Sequence, residues 1–213
     1  GIGWRMGDTM NASIGQGFLL ASPMQLAVMT ARLATNRAIT PNLIRSVDGR
    51  PVERPEAPSL GINPEHLALV REAMDQVMNM RSGTAYGARL ITDAHRIAGK
   101  TGTSQVRNIT AAERAAGVSK NEDLPRERRA HALFVHFAPY DDPKVAVAVI
   151  VEHGGSGSAA AAPIARDITL QALYRGDPPL EVYPSKDRAN IKSQQEILRK
   201  LQASTLNNGD DRA

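Results

Sequence analysis

The chain has 213 residues, of which 42% are hydrophobic, 23% charged and 4% aromatic, with a formal net charge of +4. That is enough for one globular domain with a substantial core, built mainly from Ala, Val, Leu, Ile and Met. The Lys and Arg residues are scattered without an aromatic stacking platform, which speaks against nucleic acid, and the lack of cysteine excludes disulfides, thiolate-bound zinc and a thiol nucleophile.

A cysteine-free chain also suits an oxidising compartment. The longest apolar run, Val145 to Val151, is far short of the roughly 20 residues a membrane helix needs. The chain opens Gly1-Ile-Gly-Trp-Arg with neither an initiator Met nor a signal peptide, so any membrane anchor is expected outside this sequence.

Along the chain, Ser22-Pro-Met-Gln25 predicts a helix start, with Ser22 as cap, Pro23 in the first turn and Gln25 closing a capping box. Leu26, Met29, Leu33 and Ala34 give that helix one apolar face, fading near Asn36. Residues 40–62, with Pro41, Pro51, Pro55 and Pro58, read as loop and strand fragments. Asn63-Pro64-Glu65 starts a second helix, whose stripe is Leu67, Val70, Met74, Val77 and Met78 and which Arg81-Ser-Gly-Thr84 ends. Residues 95–106 read as a strand broken by glycines. A charged loop follows, Arg107 to Arg129. Ala132–Val135 and Val145–Val151, joined by Pro139-Tyr-Asp-Asp-Pro143, form a hairpin of buried strands. Gly154-Gly-Ser-Gly-Ser158 leads to a helix beginning near Ala162-Pro163, with Ile164, Ile168, Leu170 and Leu173 as its apolar face. After Gly176 the composition turns polar. Residues 186–203 read as an exposed helix carrying Ile191, Ile197, Leu198 and Leu201, and the last residues as disordered, so the domain is expected over 1–176 and a polar tail over 177–213.

The segment Arg96 to Gln105, RIAGKTGTSQ, carries the chemistry. As a phosphate loop it fails: Ala94 stands where the motif needs Gly, the interior His95-Arg-Ile-Ala98 lacks small residues, and Gly102-Thr-Ser-Gln-Val-Arg continues as a strand where a helix should open. Glu152-His-Gly-Gly155 lacks the nucleophile elbow that would make it an oxyanion turn. The other histidines show no metal-ligand spacing. Lys100-Thr101-Gly102-Thr103 instead fits the K-T-G element of penicillin-recognising acyltransferases. In that chemistry Lys100 supplies positive potential beside a nucleophilic serine, and the hydroxyls of Thr101 and Thr103 bind a carboxylate. Gly102 keeps Cβ away from the acyl donor, and the Thr103 N–H helps form an oxyanion hole. Strand geometry puts Thr101 and Thr103 on one face and Lys100 and Gly102 on the other.

Further segments resemble class B penicillin-binding proteins: Asn11-Ala-Ser-Ile-Gly-Gln-Gly17, Ala21-Ser-Pro-Met-Gln-Leu-Ala27, Pro41-Asn-Leu-Ile44, Gly83-Thr-Ala85 and Ile97–Gln105, then the hairpin and Ala162-Pro163. The resemblance covers residues 1–176 in the right order and is greatest to the elongation-type branch of the family, penicillin-binding protein 2. It implies an α+β fold, a penicillin-binding transpeptidase and serine β-lactamase-like antiparallel sheet flanked by helices, of which this chain supplies the C-terminal half. It also implies acyl transfer between peptidoglycan stem peptides through a serine acyl-enzyme, β-lactams as ligands, no cofactor, and a place at the periplasmic face of the bacterial inner membrane. Other cell-wall elongation proteins are implied as partners.

The family places S-x-x-K and S-x-N ahead of K-T-G. No serine here has lysine three residues on, and the one S-x-N, Ser119-Lys-Asn121, follows K-T-G and is set aside as chance. The nucleophile, its lysine and the middle motif are therefore expected upstream of Gly1, leaving the chain inactive alone. An apolar face should then stay open, on which the chain self-associates or keeps the missing N-terminal half of its domain. A non-catalytic peptidoglycan- or partner-binding module of the same fold is the alternative, and the upstream residues discriminate the two.

Overall fold

The computed structural model describes residues 3–107 and 109–207, with side chains described through residue 202. A short helix α1, Met6–Ser13, precedes α2, Pro23–Thr35. The predicted capping box closes α2: Gln25 N donates to Ser22 Oγ and Ser22 N to Gln25 Oε1. A small exposed hairpin follows, β1 (Ser46–Val47) and β2 (Arg50–Pro51). Its turn has φ of 50° at Asp48 and 76° at Gly49, the left-handed pair that two-residue hairpins favour. Helix α3, Pro64–Asn79, is capped by Asn63, whose side chain accepts from Glu65 N.

Strand β3, Ala98–Ser104, leads into the charged segment, which holds the short helix α4, Ala111–Ala116, and two 3-10 turns where a loop was expected. Strands β4 (His131–Ala138) and β5 (Val145–Val151), helix α5 (Ala162–Tyr174) and helix α6 (Arg188–Asn207) complete the order. The main sheet is antiparallel, β3-β4-β5, with Lys100 opposite Val135 and Thr101 opposite Phe134. One face packs on α2 and α3 through Ala34, Met74, Ala98 and Phe137. The other carries Ala132 and Phe134 against Ala162, Ala165 and Leu170 of α5.

Three helix faces differ from the apolar pattern. On α5 the buried residues are Ala162, Ala165, Arg166, Thr169 and Leu170, while Ile164 and Ile168 are 46% and 49% exposed. Small side chains let the helix approach the valines of β5 closely, and the larger isoleucines are rotated away. On α2 the buried pair is Thr30 and Ala34, and Met29 is exposed. Thr30 avoids an unpaired hydroxyl by donating to Leu26 O at 2.8 Å. Val70 on α3 is exposed as well.

The segment after Gly176 is docked on the domain. Val182, Tyr183 and Ile191 join the core, Ile91 N donates to Val182 O at 2.9 Å, and Gln195 Nε2 to Pro178 O at 2.9 Å. Arg166, 2% exposed, donates to Asp167 and Asp187 at 2.8 Å each and lies 5.0 Å from the Tyr183 ring. Residues 208–213, part of the end read as disordered, lie outside the described residues. At the other end, Trp4, Met6, Met10, Ile14, Phe18 and Leu20 are 64–92% exposed, a large apolar surface.

His136 on β4 is fully buried, its Nε2 2.5 Å from Thr169 Oγ1, and burial pushes its pKa from 6.5 down to about 3. The unfolded chain therefore takes up this proton first as pH falls. Its contribution to stability is whole above pH 6.5 and is lost towards pH 3, at about 1.4 kcal/mol per pH unit inside that window. Urea unfolding at a series of pH values should show this acid slope, and His136→Gln should flatten it by one proton's worth. An equal slope in both proteins would contradict the assignment.

Candidate functional site on strand β3

Strand β3 is an edge strand. Its register places Gly99, Thr101 and Thr103 on the α5 face, opposite His136, Phe134 and Ala132, and Lys100 and Gly102 on the α2/α3 face, opposite Val135 and Leu133. The predicted alternation of Lys100, Thr101, Gly102 and Thr103 is thus the observed one. Gly99 and Gly102 permit close contact across the ladder. A Cβ at Gly99 would stand 2.8 Å from Val135 O and 2.5 Å from the Phe134 ring, and one at Gly102 3.2 Å from Leu133 Cβ. On the other face, a Cβ at Gly157 would come within 2.7 Å of Gly102 O, so the turn before α5 lies directly on the strand.

The foot of β3 is pinned to α3. Arg96 donates to both Asp75 oxygens at 2.6 and 2.7 Å, a bidentate pair in which the Asp75 side chain is largely buried. The bond to Asp75 raises the Arg96 pKa above its ordinary value. Asn79 Nδ2 bridges Asp75 Oδ1 at 2.8 Å and Ile97 O at 3.0 Å. Higher up, Thr101 Oγ1 lies 2.9 Å from Thr84 Oγ1, and Lys100 Nζ donates to Thr101 O at 2.7 Å. At the far end Gln16 Nε2 donates to Thr103 O at 2.7 Å, and Gln105 N to Gln16 Oε1 at 3.4 Å. These main-chain groups point away from β4, and by the two-residue alternation of a strand so do those of Thr101.

Asp75, Asn79 and Gln16 escape a reading of the sequence, since each meets β3 across a long chain separation. Gln16 does fall inside the Asn11–Gly17 run. Glu152-His-Gly-Gly155 is a turn between β5 and α5, with Gly154 N donating to Val151 O and His153 at φ 56°. Gly99-Lys100-Thr101 lies within a strand, so no phosphate loop forms. Asn121 stands beside Thr103 in a cleft, where its Oδ1 accepts from Ala130 N at 2.9 Å. Among the described residues no three His, Asp or Glu side chains converge as metal ligands would.

The chain is similar to several known proteins. A family model described as the penicillin binding protein transpeptidase domain matches residues 3–170. The chain is 36% identical over 204 residues to the peptidoglycan D,D-transpeptidase MrdA of Haemophilus influenzae, covering 92% of this chain and 30% of that one. Among solved structures, Pseudomonas aeruginosa PBP2 in complex with WCK 5153 is 39% identical with a TM-score of 0.61, over 80% of this chain and 34% of that one. Helicobacter pylori PBP2 in complex with MreC is 31% identical with a TM-score of 0.62, over 81% of this chain and 28% of that one. The chain thus spans about a third or less of the length of each.

Asp75→Asn should cost roughly 1.5–3 kcal/mol, the value of hydrogen bonds to a charged group, in urea unfolding. It should also speed amide exchange along β3 while leaving the α5 amides unchanged. Uniform acceleration over the whole domain would mean that the pair does not pin this strand in particular.

Proposed function

Because the chain belongs to the penicillin-binding protein transpeptidase family, we propose that it is the part of a peptidoglycan D,D-transpeptidase that presents the substrate-recognition strand. The transpeptidase unit spans residues 1–176, with 177–213 as an appended C-terminal segment. The observation that carries the reading is Lys100-Thr101-Gly102-Thr103 on an open-edged strand, with both threonines on one face.

In this reading an acyl-D-Ala-D-Ala peptide lies along the outer edge of β3. The hydroxyls of Thr101 and Thr103 take its terminal carboxylate, and the Thr103 N–H faces the carbonyl of the penultimate D-Ala. Lys100 adds positive potential beside the serine. A serine contributed from outside this sequence attacks that carbonyl. The bond from its Oγ to carbon forms, the C–N bond to the terminal D-Ala breaks, and the serine proton leaves with the amine. The developing oxyanion is stabilised by a donor already fixed in place. An amine of a second stem peptide then displaces the serine. β-Lactams enter the same site as mimics of D-Ala-D-Ala.

The exposed apolar surface from Trp4 to Leu20 is where the rest of the domain packs. We place the whole protein at the periplasmic face of the inner membrane, with an anchor outside this sequence. No helix among the described residues is long and apolar enough to cross a membrane. Other cell-wall elongation proteins are proposed partners, on the ground that the Helicobacter pylori relative was solved with MreC.

Titrating the isotopically labelled chain with an acetylated peptide ending in D-Ala-D-Ala should move the amide resonances of Thr101 to Thr103, and Thr103→Val should weaken binding. Shifts confined to other surfaces would overturn the reading. Incubation with a penicillin should leave the intact mass unchanged, and an adduct on one serine would show that this chain carries its own nucleophile.

A further inference from the structure

The turn Glu152-His-Gly-Gly155 takes no part in the reading of β3, yet it carries one half of a histidine pair. His153, after β5, and His131, at the start of β4, are half-buried, with ring centroids 4.8 Å apart and planes at 65°. Their partners fix the tautomers. His153 Nδ1 lies 3.0 Å from the Arg129 carbonyl, which can only accept, so this nitrogen carries the hydrogen. His131 Nδ1 accepts from His153 N at 2.9 Å, so it carries none. That acceptor holds His153 in the left-handed region, at φ 56°, where a side chain is strained. Beyond it, Gly155 N donates to Ala130 O at 2.9 Å. Gly157 then lies against β3, where a Cβ would stand 2.7 Å from Gly102 O.

A proton on His131 undoes this arrangement. With Nδ1 protonated, two N–H groups face each other and His153 N loses its acceptor. A proton on His153 goes to Nε2 instead and leaves the bond to Arg129 O in place. The closed turn therefore excludes a proton at His131 Nδ1 and the open turn admits one, so falling pH favours the open form. Charged side chains stand on the segments around the pair, and none bonds either ring among the described residues. Arg129 is turned to the Glu122 and Leu124 carbonyls, Lys120 pairs with Glu122 and Arg107 with Glu113, while Asp123 and Glu152 are exposed. His136, further along β4, is held down at about 3 by burial and stays neutral in mild acid. We propose that His131 is a pH-sensitive latch. Neutral, it holds residues 153–157 closed on β3, and protonated, it releases them and uncovers Gly102 and Thr103 on the α5 side. The consequence for a bound peptide rests on the reading of β3 above.

Amide exchange of the isotopically labelled chain, corrected for the intrinsic effect of pH, tests the latch. Between about pH 8 and 5, where imidazoles change charge, the His153 and Gly155 amides should lose protection while those of β4 keep theirs. The loss should reach about tenfold per pH unit, the linkage of one proton, with the same midpoint as the imidazole nitrogens of His131. His131→Asn, whose carboxamide oxygen reaches the place of Nδ1 and takes up no proton, should keep the turn closed throughout. His153→Asn, which tolerates the left-handed backbone, should keep the response. No response in the unsubstituted chain, an equal one in His131→Asn, or a midpoint apart from that of His131 overturns the latch. An acetylated peptide ending in D-Ala-D-Ala, bound at Thr101 to Thr103, should lose about tenfold in affinity over one pH unit of that range, and nothing in His131→Asn. Affinity that does not follow the turn overturns its control of β3. No binding at any pH overturns the reading of β3 instead, and the exchange result still decides the latch.

Discussion

The bidentate pair between Asp75 on α3 and Arg96 just ahead of β3 sets where that strand begins. The two faces of β3 follow from that anchor, since a strand repeats every two residues and a slip by one would exchange the threonine face for the lysine face. Asn79 reinforces it by holding both Asp75 and the Ile97 carbonyl. From there the ladder to β4 admits no side chain at Gly99, where Val135 and Phe134 stand too close. An edge strand has only one neighbour to hold it, so the side chains at its ends matter more than they would in the middle of a sheet. Gln16 is the second of these fixings, acting as a short piece of substitute strand.

What could be read from the sequence was local. The Ser22 and Asn63 caps, the hairpin and the alternation across Lys100 to Thr103 depend on neighbours a few residues away, and each stands as expected. On α2 the expected Ala34 is buried and Met29 is not, and on α5 the large Ile164 and Ile168 are exposed whereas Ala162 and Ala165 pack on the sheet. Alanine carries little hydrophobic signal, yet it sets how near a helix can come. The charged segment after β3 hides a short helix, since six residues with no buried side chain leave no apolar stripe to find. Gln16, Thr84 and Asn79 were illegible for a different reason: polar side chains meeting distant main chain leave no periodicity.

The two faces of β3 divide its chemistry. Thr101 and Thr103 look towards the side closed by α5 and the turn before it, where Gly157 lies against the Gly102 carbonyl. Lys100 looks towards the helices on the other side, yet its ammonium folds back to the strand edge at the Thr101 carbonyl. Charge thus reaches the edge of the strand, while the Thr101 hydroxyl stays with Thr84 Oγ1 at 2.9 Å. A strand buried between two neighbours would have no such free edge.

Arg166 makes the C-terminal segment part of the domain's integrity. Its guanidinium is sealed beneath Tyr183 and bonded to Asp187, both beyond Gly176. Proteolytic trimming at that glycine would strip a buried cation of one of its two carboxylates and uncover the apolar flank of α5. A fusion partner attached past residue 202 meets none of these contacts. The end of α6 is therefore the place to attach a label or an immobilising tag, and the composition break at Gly176 is a poor place to cut.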